Sequence, residues 1–152
     1  MKKTLCLAVA VMLWSIVYAD DYYCEAPAGT LMQIERADYW NNPKETEKPI
    51  ETTEKLTADN TFDVFVDGEK AIVLRGDGQD VEFRVILEKR GRVILKHQVV
   101  LPYNGYTDDQ IRININDGTG QWSHVTVQVL AFGLAAKTEK ASVPLNCEAM
   151  AD

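Results

Sequence analysis

The chain has 152 residues, 46% of them hydrophobic, and a formal net charge of −7 with histidine neutral. That is one domain of ordinary size, with enough apolar material for a core. Its acidity argues against nucleic acid and anionic lipid as partners, because both repel a negative surface.

Lys2 and Lys3 form a short basic start, and residues 5–17 are apolar apart from Ser15. Val17 and Ala19 then place compact side chains at positions −3 and −1 of a cut after Ala19. This is the pattern of a signal peptide over residues 1–19. The apolar run is about 13 residues, whereas a spanning helix needs ~20, so the leader is expected to be removed rather than to anchor the chain. Cys6 lies inside the run, where it does not suit lipid attachment. The mature domain, residues 20–152, is therefore expected outside the cytoplasm, secreted or periplasmic, with no membrane insertion. Loss of Lys2 and Lys3 takes its formal charge to −9.

Cys24 and Cys147 are the only cysteines left after that cut. An even count in an oxidising compartment predicts a disulfide between them. Cys24 precedes the first expected strand and Cys147 follows the last, so the bridge reads as a clasp on the termini. There is no Asn-x-Ser/Thr sequon, so N-glycosylation is not expected.

In chain order, a first strand is expected over residues 30–36. Residues 41–60 hold Pro43, Pro49 and many charges, and read as a long exposed loop with room for a short strand near 50–55. From Thr61 the pattern has period two. Phe62, Val64 and Val66 share one face, and Asp67-Gly68 is a hairpin signal. A return strand covers 70–75. Then Val81, Phe83, Val85 and Leu87 alternate with polar residues up to a turn at Arg90-Gly91. Val93, Leu95, His97, Val99 and Leu101 are in phase on the next strand. Residues 102–110 (PYNGYTDDQ) read as a loop. Ile111, Ile113 and Ile115 form another strand, Asp117-Gly118 turns, and Val125, Val127 and Val129 alternate with His124, Thr126 and Gln128. A last strand is expected over 138–145.

Hairpin-linked alternating strands predict an all-β, antiparallel two-sheet sandwich of about seven or eight strands, immunoglobulin-like or jelly-roll in type. A closed barrel is the alternative. An immunoglobulin domain proper does not fit, since Leu145 stands where the tyrosine corner would put Tyr.

Catalytic signals are sparse. There is no G-x-S-x-G, P-loop or H-E-x-x-H motif. Ser123 and His124 are adjacent on a strand and so point to opposite faces. A Ser142 pairing with His97 or His124 is the serine–histidine combination left open. His97 reads as a core-edge residue and His124 as a solvated one. Neither cofactor nor enzyme activity is expected. Calcium is the exception left open, through Asp77, Asp80, Asp108 and Asp109 in the expected turns, since calcium takes oxygen ligands from loops. The same residues are also ordinary turn formers. Tyr103, Tyr106 and Trp122 are the candidate anchors for a protein or glycan partner, being rigid and amphipathic. The leading functional reading is thus a small exported, non-enzymatic binding module acting through loops at one end of the sandwich. A subunit of a surface assembly, a calcium-dependent carbohydrate-binding domain and a small hydrolase are the alternatives.

Overall fold

A computed structural model describes residues 21–40, 49–55, 61–130 and 135–150. The expected leader (1–19) lies outside the described residues, as do 41–48 and 56–60 of the expected loop.

Ten strands account for almost all of the described chain. They are β1 (Asp21–Glu25), β2 (Leu31–Trp40), β3 (Ile50–Lys55), β4 (Thr61–Asp67), β5 (Lys70–Arg75), β6 (Asp80–Lys89), β7 (Arg92–Val100), β8 (Tyr106–Asn114), β9 (Thr119–Leu130) and β10 (Ala135–Ala149). A 3₁₀ turn at Pro102–Asn104 joins β7 to β8. No helix among the described residues is long and apolar enough to cross a membrane.

β4 through β10 form an antiparallel meander in which each strand pairs with the next. β1 then pairs with both β4 and β10, which closes the sheet on itself. The fold is therefore a closed eight-stranded barrel and not a two-sheet sandwich. Hairpin-linked alternation is common to both architectures. The closing strand decides between them, and its sequence, Asp-Tyr-Tyr-Cys-Glu, carries too short a pattern to announce it.

An eight-stranded barrel is just wide enough for side chains to fill its lumen. Val64, Val73, Val93, Leu95, Ile111 and Val143 are all essentially inaccessible at its centre. Cys24 and Cys147 belong to the same cluster and are joined across the β1–β10 seam, with Cα atoms 4.1 Å apart. The bridge is consequently a core disulfide within two strands, and the clasp outside the sheet is corrected. Gly120 faces it from β9: a Cβ there would lie 2.5 Å from Cys147 Sγ and 3.0 Å from the Arg112 carbonyl oxygen.

β10 has two partners along one edge. Its first half pairs with β2, up to Ser142 opposite Gln33. Its last part pairs with β1, beginning at Asn146 opposite Glu25. Pro144 sits between. The Cys147 N–H donates to Gly118 O on the β9 side. Alternation along β10 therefore points the missing donor of Pro144 at the other edge, where β2 has ended and β1 has not begun. That is where a strand interior tolerates proline. β2 and β3 extend the sheet beyond this fork as a two-stranded wing.

Two tight turns follow their residue chemistry. Gly68 has φ 61 at the first position of the β4–β5 turn, as a II′ hairpin requires. Arg90 and Gly91 have φ 54 and 74, the I′ pattern, and Asn116 Nδ2 donates to Arg90 O at 2.8 Å to hold that loop.

Candidate functional site

In the closed part of the barrel, Leu95, Ile111, Trp122 and Val143 are register partners across β7, β8, β9 and β10. Two residues further along each strand, the same inward face reads His97, Asp109, His124 and Ala141, followed by Ile34 on β2. Two residues further again it reads Val99, Thr107, Thr126, Glu139 and Arg36. The face thus turns from apolar to polar where β10 exchanges β1 for β2 and the lumen opens into a trough.

His97 closes the core at this level. Its ring lies 5.5 Å from that of Phe83, and Nδ1–H donates to Glu82 O at 2.9 Å. This agrees with a core-edge histidine.

His124 is not solvated as expected. Its ring stacks on Trp122 at 6.0 Å, and Trp122 stacks on Phe62 at 6.4 Å. Nδ1–H donates to Asp109 Oδ1 at 2.8 Å, and Nε2 meets Thr126 Oγ1 at 2.7 Å. The error was one of phase. Val125, Val127 and Val129 looked like the inward set, but Trp122 opposite buried Ile111 fixes the other parity for β9.

The hydrogen bond to Asp109 raises the His124 pKa above its ordinary value, with burial opposing it. A histidine whose folded pKa exceeds its unfolded one adds stability that is full below the unfolded pKa and is lost as pH rises through the folded one. Stability measured by urea midpoints should therefore be full below the ordinary histidine pKa of ~6.5 and fall as pH rises above it. H124Q should flatten that slope. A slope that survives the substitution would assign it elsewhere.

Beyond His124 the trough is a cleft of about 510 Å³ lined by Arg36, Asp38, Ile50, Thr126, Gln128, Lys137 and Glu139 on its open side. Arg36 Nε donates to Glu139 Oε2 at 2.7 Å, and Arg36 Nη2 lies 3.5 Å from Glu54 Oε1. Asp38 and Lys137 are register partners across β2 and β10. They form no ion pair with each other among the described residues.

The expected site residues are dispersed. Tyr103 is exposed in the 3₁₀ turn, with φ 57. Tyr106 opens β8 on the outward face, and Trp122 points inward. These three do not make one binding surface. Asp77 lies in the β5–β6 turn, where Oδ1 accepts from Gln79 N at 3.1 Å, and Asp80 begins β6. Asp108 and Asp109 are in β8 rather than in a loop and so face opposite ways. Asp108 Oδ2 meets Lys96 Nζ at 2.8 Å on the outside. No group of three or more His, Cys, Asp or Glu side chains suited to a metal ion occurs among the described residues. Ser142 lies opposite Ser123 on the outward face, away from both inward histidines.

Asp109, His124 and Thr126 form an acid–imidazole–hydroxyl row of the kind that activates a nucleophile. Thr126 sits in mid-strand, however, between β8 and β10. The backbone N–H groups of a strand paired on both sides serve the ladders, so none is spare to receive an oxyanion at Thr126. No family model, curated protein or solved structure matches the chain.

Proposed function

We propose that this chain is a small exported, non-enzymatic binding module whose partner lies in the trough at the open end of the barrel. One observation carries the reading: the inward face of β8, β9, β10 and β2 continues past the closed lumen and becomes polar and charged. Among the described residues the lumen is occupied by Val64, Val73, Val93, Leu95, Ile111 and Val143, which argues against a small apolar ligand inside it. The trough offers alternating cations and carboxylates with a hydroxyl and an amide between them. Trp122 has its ring covered by Phe62 and His124, and the described lining of the trough holds no aromatic ring for a sugar to stack on. A polar, charged protein segment fits this lining better than a glycan. The leader expected from the sequence and the buried disulfide support work outside the cytoplasm.

The test is to pan a random peptide library on the protein and on the charge-swapped D38K/K137D variant. Peptides selected by the natural protein should carry both charges and bind the variant at least about tenfold more weakly, as the loss of two ion pairs with reversal of sign implies. Equal binding to both proteins sinks the trough as the site. Hydrolysis of aryl esters that disappears in T126V would instead make the Asp109–His124–Thr126 row catalytic.

A further inference from the structure

β3 is the outer strand of the wing, and all six of its residues are exposed. It pairs with β2 on one edge, and among the described residues nothing pairs with the other. The closed barrel hides most of its edges, so β3 presents a whole strand edge that nothing pairs with among the described residues.

The direction of its backbone groups follows from the register. The Cys147 N–H points from β10 to β9, so the even residues Lys140 and Ser142 point to β2. Their partners Glu35 and Gln33 point back, which turns Met32, Ile34 and Arg36 toward β3. Those pair with Glu54, Thr52 and Ile50. Glu51, Thr53 and Lys55 therefore present their N–H and C=O groups outward.

We infer that β3 pairs antiparallel with β3 of a second copy of this chain, about a two-fold axis at Thr53. A two-fold perpendicular to the sheet keeps each face on its own side, so pairing must join odd residues to odd. Centring on Thr53 sets Glu51 opposite Lys55 of the second copy, Thr53 opposite Thr53, and Lys55 opposite Glu51. All three are outward-bonding pairs. The sequence Glu-Thr-Thr-Glu-Lys is thus charge-complementary to itself in this register, with two symmetric carboxylate–ammonium pairs on one face. Neither Glu51 nor Lys55 has an ion-pair partner among the described residues. Sliding the axis by one residue places Glu51 opposite Thr53 and leaves Lys55 unmatched. The contact is small and polar, well under the roughly 1,200 Å² of stable interfaces, so the dimer is weak and reversible.

The experiment is sedimentation equilibrium of the full protein, from micromolar to about 1 mM, where a weak association becomes measurable. A monomer–dimer equilibrium is expected. K55E sets two carboxylates against each other in both symmetric pairs and should raise the dissociation constant about tenfold. The swap E51K/K55E restores both pairs and should restore the natural value. T53P removes the outward donor at the axis, on an edge that tolerates proline, and should leave a monomer with an unchanged melting temperature. A monomer throughout the range overturns the inference. So does a dimer whose affinity ignores K55E, and so does a dimer that K55E weakens but the swap fails to restore. These readouts do not involve the trough, so they stand or fall independently of the proposed function.

Discussion

Replacing Cys24 and Cys147 together by alanine, or reducing the bridge, is expected to cost about 2–5 kcal/mol of stability. The closed loop spans 123 residues. The chain-entropy model alone gives about 4–5 kcal/mol for so long a loop. The location strengthens the expectation. β1 has only five residues and is not hairpin-linked to either neighbour, because β2 and β3 lie between it and β4. Its hold on β10 is four register pairs, and the disulfide joins one of them. Without the bridge, the seam depends on short ladders whose ordering entropy is hard to offset. The melting temperature should fall by roughly 10–20 °C for a domain of this size. Hydrogen exchange should rise first at residues 22–25 and 146–149, while β6 to β9 keep most of their protection. A loss below about 1 kcal/mol, or exchange that rises evenly along the chain, would show that the seam does not rely on the bridge.

Gly120→Ala should destabilise by about 1–3 kcal/mol although it adds a single methyl group. Gly120 is register partner to both Ile113 and Leu145 at the packed level of the barrel. The new Cβ would come within 2.5 Å of the disulfide sulfur, and a backbone oxygen on the other side limits its retreat. A close-packed interior gives way to such a group only by shifting strands. The cause can be isolated. In the C24A/C147A background the sulfur is gone, so the same substitution should cost about 1 kcal/mol less, the coupling expected of contacting residues. Urea unfolding of the four proteins closes the cycle. Strict additivity would place the strain at the Arg112 carbonyl instead.

The two results bear on how much could be read before the structure. The alternation of Val93 and Leu95, and of Ile111 and Ile113, put those residues inside, and all four are buried. The pairing of Cys24 with Cys147 follows once Cys6 is assigned to the expected leader, since two cysteines then remain. Within the segment read as a loop, the short strand for which there was room near 50–55 is β3. The turns at Gly68 and Gly91 lie where Gly was needed for positive φ. Other features were unreadable for identifiable reasons. Asp108 and Asp109 are poor strand formers and looked like a loop. They extend β8, where Lys96 pairs with Asp108 and His124 hydrogen-bonds Asp109 from the adjacent strands. Alternation alone gives β9 the opposite phase, because Val125, Val127 and Val129 outnumber the single inward Trp122.

The sequence by itself determined the all-β class, the strand-and-turn rhythm, the covalent pair and most of the core, because each rests on short-range alternation or on simple counting. The tertiary structure alone decided that the sheet closes into a barrel. It also decided that the disulfide is internal, and that His97, Asp109, His124 and Thr126 lie together on the inward face at one open end. Those facts depend on residues 21–25 meeting residues 61–65 and 146–149 at once. Pairings at such separations leave no local periodic trace, since a strand carries the same alternation whichever neighbour it finds.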